Sequence, residues 1–261
     1  MSSNPWQAGD FARIAPSTTI VGELLCDEIP VYATQRVLDI GCGTGNTAMA
    51  AARRRADVTA IDPVARLMDS GRERAAFERL EIRWHEGSAE ALPFDDGAFD
   101  LALSTFGIIF STEPAMAVSE AARVLAPNGR FAFTSWTEGG MTDHVFEATE
   151  AVLPELAMIP AGRAWGRRKD AQALLASHFS KVTVLDRTLF VRAPDSNRWL
   201  AGMKMFLAPI VLAYEKLSPE EAVRLDEKLL ALGDAFPLAP NGTFFVKVPY
   251  LEFHCESPRV S

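Results

Sequence analysis

Val37-Leu38-Asp39-Ile40-Gly41-Cys42-Gly43-Thr44-Gly45-Asn46 is an apolar run that ends in three alternate glycines and then passes into a helical pattern. The run has the length and near-continuous hydrophobicity of a strand buried on both faces. Glycines at every second position permit positive φ and let a ligand touch the main chain. A strand turning tightly into a helix is the opening unit of a doubly wound α/β sheet, which binds ligands at the carboxyl edge of its strands. A dinucleotide fingerprint would read G-x-G-x-x-G, with the pyrophosphate on the helix N-terminus. Here the spacing is G-x-G-x-G, preceded by Asp39, whose charge would repel a diphosphate but welcome a ligand bearing a sulfonium and an α-ammonium group.

Outward from this unit the pattern repeats. Apolar runs at 36–40, 58–62, 80–84, 99–104 and 129–135 alternate with helical spacing at 46–55, 64–77 and 114–125, as in a parallel sheet with crossover helices. Pro63 and Pro114 stand at or beside helix starts, where a missing N–H costs little. Beyond Trp136 the alternation lapses. The spacing predicts helices over 143–158 and 170–179, a strand over 181–192, a helix over 195–214, and another from the capping box Ser218-Pro219-Glu220-Glu221 to 234. A last strand over 243–254 carries Pro249, which argues for an edge position or a bulge. The chain reads as one domain: a lid and helix over 1–35, a ligand-binding core over 36–136, and a carboxyl-terminal part over 137–261 with a helical insertion at about 195–235.

With 48% hydrophobic and 23% charged residues among 261, the chain has ample material for a buried core and is no candidate for disorder. Its 26 Lys and Arg against 34 Asp and Glu leave a formal charge of −8, which argues against a nucleic acid partner. Cys26, Cys42 and Cys255 are odd in number and widely spaced, as free thiols are, and the first residues lack a basic segment followed by an apolar run; a cytoplasmic location is expected. The most apolar stretch, 199–214, contains Lys204 and Pro209 and falls short of the roughly 20 residues of a membrane span.

Four motifs fall in order along about 100 residues. They are Asp39-Ile40-Gly41-Cys42-Gly43-Thr44-Gly45; Asp62 at the end of the second strand; Gly87-Ser88-Ala89-Glu90-Ala91-Leu92-Pro93-Phe94 with Asp95-Asp96-Gly97-Ala98-Phe99-Asp100; and Glu120-Ala121-Ala122-Arg123-Val124-Leu125-Ala126-Pro127-Asn128-Gly129-Arg130. Together they resemble the class I S-adenosylmethionine-dependent methyltransferases, particularly the branch similar to ubiquinone and menaquinone methyltransferases. The resemblance implies a Rossmann-like, doubly wound, mostly parallel seven-stranded sheet with an antiparallel last strand, an N-terminal helical lid and a helical insertion before that strand. It further implies that Gly41, Gly43 and Gly45 bend around S-adenosylmethionine, with S-adenosylhomocysteine as product. Asp39 would sit near the amino acid moiety, Asp62 on the ribose hydroxyls, Ser88 and Ala89 at the adenine, and Met68 and Ser104 in the same pocket. Ser88 departs from the commoner pattern, which has Asp there. Glu120 to Leu125 reads as a salt-bridged helix face rather than chemistry.

Methyl transfer is an in-line displacement that alignment alone can accelerate greatly, so a dedicated base is optional. His85 and His178 read as structural, and His254 beside Cys255 lacks the spacing of a metal site; no metal is expected. His144, past Trp136 and Gly139-Gly140 on the ligand-binding edge, is the candidate catalytic base. Substrate walls are expected from Trp6 and Phe11 in the lid, from Phe106, Phe110 and Trp136 after the fourth and fifth strands, and from Trp199, Met203 and Phe206 in the insertion. That excess of apolar groups favours a small apolar or aromatic acceptor. Rival readings are a homologue that uses the cofactor for cyclisation, a non-enzymatic sensor, and a nicotinamide oxidoreductase; the last lacks a third glycine at dinucleotide spacing and any Tyr-x-x-x-Lys pair.

Overall fold

A computed structural model describes residues 4–152, 154, 158–236, 239 and 241–258. Its strands are β1 (Arg36–Ile40), β2 (Asp57–Asp62), β3 (Ile82–Glu86), β4 (Phe99–Thr105), β5 (Leu125–Trp136), β6 (Phe179–Ala193) and β7 (Phe244–Pro258). They form one sheet in the order β3-β2-β1-β4-β5-β7-β6. Pairing is parallel from β3 through β5, and β7 runs antiparallel between β5 and β6. The chain therefore winds outward from β1 through β2 to β3, then restarts at β4 on the other side. This order reversal between β1 and β4 opens a crevice at the carboxyl ends of the strands, the place where such sheets bind ligands.

Helices α1 (Thr19–Glu28), α2 (Asn46–Arg53), α3 (Ala65–Phe77) and α4 (Pro114–Arg123) cover the sheet, and α5 (Met141–Glu150), α6 (Met158–Ala164) and α7 (Arg168–Ala176) lead into β6. Between β6 and β7 lie α8 (Ser196–Phe206), α9 (Ala208–Lys216) and α10 (Pro219–Ala235), the last opened by the expected capping box. One face of the sheet packs Leu38, Ile40, Ile61, Phe131, Phe133 and Phe253 into a core; the other packs Val37, Val58, Leu101 and Ala132 against α1 and α2. Phe133 stacks on Phe131 at 4.9 Å and on Phe253 at 4.5 Å, so truncating it would cost about 3–5 kcal/mol.

The departures from the sequence reading have local causes. The third strand starts at Ile82 rather than 80 because α3 ends in a left-handed cap: Arg79 takes φ +56°, its N–H donates to Ala76 O, and Leu80 N–H donates to Ala75 O. The helix expected over 195–214 is two helices, since Pro209 has no N–H for a continuous ladder and the chain steps out at Leu207 (ψ 109°). The helix expected over 143–158 begins earlier, at Met141, and stops at Glu150; part of its expected tail lies outside the described residues. Pro249 does not mark an edge strand, because β7 is interior and the edges are β3 and β6. Its own position is nevertheless half-edge: it faces Thr188 on β6 but lies just beyond the last β5 pair, Trp136 with Tyr250.

Candidate functional site

The three glycines of the β1–α2 turn have φ of +65°, +52° and +77°, each for a different reason. A Cβ on Gly41 would stand 2.9 Å from Gly107 Cα, so Gly41 lets the segment after β4 lie against the turn. A Cβ on Gly45 would meet the Trp84 ring at 2.4 Å; Gly45 serves the packing of β3 and does not line the cavity, contrary to the sequence reading. Around Gly43 nothing lies within 4 Å of that position, which leaves one glycine open to a ligand.

Two carboxylates flank this turn. Asp39 is buried, with Oδ2 accepting from Ala48 N at 2.8 Å and Oδ1 lacking any partner among the described residues. Burial pushes its carboxyl up to about 8, with the nearby Asp62 adding to the rise and the Ala48 hydrogen bond opposing it. Asp62 accepts from Gly43 N at 2.7 Å through Oδ2 and from Val64 N at 2.8 Å through Oδ1. Burial raises it to about 6 against those two bonds. It is thus both a clamp on the glycine turn and a cap for the turn into α3, and a carboxylate's remaining lone pairs stay available.

Two expected pocket residues are elsewhere. Met68 is fully buried among Val58, Ala60 and Leu25, and its neighbour Leu67 faces the cavity instead. Ser104 Oγ donates to Ile40 O at 2.6 Å and accepts from Ile108 N at 2.9 Å, so it braces β1 against the turn after β4 and does not reach the cavity. Ser88 and Ala89 do line it, as does Glu90. Behind them α4 fixes the loop: Arg123 donates to Leu92 O and Phe94 O, and Glu120 accepts from Leu92 N, the structural role expected for that helix.

Another part of the lining of the same cavity is aromatic. Phe106 sits in the left-handed region at φ +56°, held by a hydrogen bond from its N–H to Thr134 Oγ1, and its ring stacks on Trp136 at 3.7 Å. For a bulky residue such a backbone costs about 1–3 kcal/mol, strain that concentrates at functional sites. Trp6 packs edge-on against Phe11 at 5.5 Å and Phe110 at 4.9 Å, and Phe110 meets Phe146 at 5.7 Å. Trp199 and Met203 of α8 complete the wall, but Phe206 does not join it. Instead the Phe206 carbonyl accepts from Asp10 N at 3.2 Å and ties the lid to the insertion, while Arg66 donates to the carbonyls of Gln7 and Gly9, and Asn46 Nδ2 donates to Ala15 O at 2.7 Å.

His144 is a correction. On α5 the residues that face the cavity are Met141, Thr142, Val145 and Phe146, a helical stripe that leaves position 144 turned away. Its ring, 40% exposed, lies 3.3 Å from Glu147 across Nδ1. Residues the sequence reading missed include Val145 and Phe146 on that same helix, Leu189, Val191 and Val248 from β6 and β7, and the hydroxyl pair Thr47–Thr105 at 2.7 Å. Only the α5 stripe carried a signal, the 3.6-residue apolar spacing around His144.

The cavity measures about 530 Å³. Among the described residues that line it, Asp39, Asp62 and Glu90 are acidic and none is Lys, Arg or His. An unpartnered buried carboxylate oxygen, an open glycine and a surplus of negative charge fit a cationic nucleoside thioether and oppose a diphosphate.

Comparison with known proteins agrees. Residues 38–133 match a family of methyltransferase domains. An uncharacterized protein of Mycobacterium tuberculosis is 33% identical over 237 residues, covering 87% of this chain and 85% of its own length. The demethylmenaquinone methyltransferase of Deinococcus radiodurans is 29% identical over 171 residues, 59% of this chain and 71% of that protein. The crystal structure of the YcgJ protein from Bacillus subtilis shares the fold, with a TM-score of 0.61 at 19% identity over 94% of this chain and 100% of that one. With the glycine turn, the sheet order and the cation-adapted cavity, these matches place the chain in the class I S-adenosylmethionine-dependent methyltransferases.

Proposed function

We propose that the chain methylates a small apolar or aromatic molecule by in-line displacement, with Asp39, Gly41, Gly43, Asp62, Ser88 and Ala89 holding S-adenosylmethionine. When bound, the cofactor supplies a methyl carbon activated by its positive sulfur. One observation carries this reading: the acidic glycine turn and the aromatic wall line a single cavity. The chain's own part is to align and to dehydrate. The lid, tied to α8 through Asp10 and Phe206, covers the cavity, and the rings of Phe106, Trp136, Phe110 and Phe146 exclude water from its aromatic part. Alignment of this kind supplies several kcal/mol of rate acceleration. That no Lys, Arg or His is among the described residues lining the cavity, together with a net charge of −8, favours a small molecule over nucleic acid. Three buried, unbridged cysteines, and no described helix long and apolar enough to cross a membrane, suit a cytoplasmic location.

The test is release of S-adenosylhomocysteine with a panel of naphthols, hydroquinones and phenols beside peptides and oligonucleotides. Turnover is expected with the aromatic hydroxyl compounds. Turnover confined to peptide or oligonucleotide would overturn the assignment of the acceptor.

A further inference from the structure

A hydroxyl acceptor must lose a proton when it takes a methyl group, and the apolar wall offers nothing to receive it. Three side chains that line the cavity can act as bases. In the reading above Asp39 and Asp62 hold the cofactor: Asp39 accepts from Ala48 N and leaves Oδ1 to the ligand, and Asp62 accepts from Gly43 N and Val64 N at the glycine turn. Glu90 is different. It is half-buried, it follows β3, and its Oε1 accepts from the Ser111 hydroxyl at 2.6 Å, beyond the end of β4. In the sheet, β3 and β4 are separated by β2 and β1, so this bond reaches across the crevice at the order reversal. Ser111 Oγ also accepts from Glu113 N at 3.2 Å, which commits its single proton to Glu90 and fixes the carboxylate. Oε2 has no protein partner among the described residues. Ser111 itself directly follows Phe110, whose ring belongs to the aromatic wall.

From this geometry we propose that Glu90 is the catalytic base for the acceptor, positioned by Ser111. The inference rests on the methyl-transfer reading above. In the step, the acceptor O–H bond breaks and its proton goes to Glu90 Oε2. The oxygen lone pair so freed forms the new bond to the methyl carbon as the carbon–sulfur bond breaks, and sulfur keeps that electron pair.

The decisive comparison uses two acceptors of different acidity, 2-naphthol, which arrives protonated, and 4-nitrophenol, largely ionised at pH 8. Glu90→Gln is expected to lower kcat about 100-fold with 2-naphthol, the usual worth of a positioned base. The loss with 4-nitrophenol should be under about 5-fold, because an ionised acceptor has no proton to give. Calorimetric affinity for S-adenosylmethionine should stay within about 2-fold, since the base touches only the acceptor. A readout without turnover is the absorbance titration of 4-nitrophenol bound to protein saturated with S-adenosylhomocysteine. Removing a carboxylate beside the phenol should lower its apparent pKa by about 1 unit. Ser111→Ala should fall between wild type and Glu90→Gln with 2-naphthol. Equal losses with both acceptors, cofactor affinity falling in step with kcat, or an unmoved nitrophenol titration would each overturn the role of Glu90. If the wild type methylates neither compound, it is the aromatic-acceptor reading that fails, and this inference falls with it.

Discussion

The two ends of the cavity are built on different principles. At the cofactor end the main chain does the work: three positive-φ glycines, two carboxylates held by N–H groups of Gly43, Val64 and Ala48, and a helix start, all within the first two β–α units. At the acceptor end side chains do it, contributed by the lid, the segment after β4, the end of β5, α5, β6, α8 and β7, pieces spread from Asn4 to Val248 along the chain. Backbone geometry tolerates few substitutions, whereas an apolar wall keeps its character through many. The first end is therefore expected to fail abruptly when altered, and the second by degrees.

The sharpest contrast lies inside the turn. Gly45→Ala sets a methyl 2.4 Å from Trp84 at φ +77°, combining overpacking with left-handed strain. A loss of about 2–5 kcal/mol in urea unfolding is expected. Gly43→Ala meets nothing within 4 Å and should cost only about 1 kcal/mol of stability. Its effect should instead fall on cofactor affinity, by 10-fold or more, because its side chain enters the ligand's space. If both variants lost stability equally, the distinction between a packing glycine and a ligand-facing one would collapse.

Next in size is Asp62→Ala, which should weaken S-adenosylmethionine by about 1–3 kcal/mol, the scale of a hydrogen bond to a charged group. The Gly43 and Val64 N–H groups lose their acceptor in this variant, so some stability goes as well. An unchanged calorimetric affinity would remove Asp62 from the site.

The same contrast explains what could be read beforehand. That Asp39, Gly41, Gly43, Asp62 and Ser88-Ala89 line one cavity is legible in the sequence because their spacing is local and their chemistry is set by residue type. Met68 and Ser104 miss the cavity by one residue step on a helix and by one side of a strand end: Leu67 has the cavity-facing position, and Ser104 spends both hydrogen bonds on Ile40 and Ile108. Gly45 was assigned to the ligand because its partner, Trp84, comes from a strand 39 residues later, a separation no local pattern reveals. Leu189, Val191 and Val248 were illegible for the same reason, since strand alternation does not say what covers either face. The break at Leu207 is legible in Pro209, although the apolar run on both sides of it has the spacing of one continuous helix.

Charge offers a subtler test. Asp39 and Asp62 stand at about 8 and about 6, both above the ordinary carboxylate range, because burial disfavours the anions. A cation prefers them ionised, and they ionise as pH rises, so affinity for S-adenosylmethionine should increase from pH 6 to 8, by up to about 10-fold per pH unit where one proton is released. S-adenosylhomocysteine, without the sulfonium charge, should gain less. By the same linkage, the ligand-free protein holds its full contribution from these groups near pH 4 and loses it as pH climbs through 6 and 8, and saturating cofactor restores it. Asp39→Asn should flatten the upper part of both profiles. A cofactor affinity independent of pH across this window would show that the acids are already paired before the ligand arrives.

At the acceptor end Met203→Ala should raise the acceptor KM about 3- to 10-fold and leave cofactor affinity unchanged, since it removes apolar contact from a wall with many other members. A comparable loss of cofactor affinity would mean that the two ends do not act separately.

His144→Ala is expected to do least. The imidazole is 40% exposed, points away from Met141, Thr142, Val145 and Phe146, and among the described residues has Glu147 for its polar partner. Neither kcat nor the acceptor KM should change more than about 2-fold, and because surface substitutions of this kind lie within about 0.5 kcal/mol, melting should move by no more than a few degrees. A fall of 10-fold or more in kcat with cofactor affinity intact would mean that α5 rotates when the acceptor binds, bringing position 144 to the cavity in place of Val145. That outcome would also displace Glu90, because a histidine so placed would take the proton that the static geometry leaves to the carboxylate.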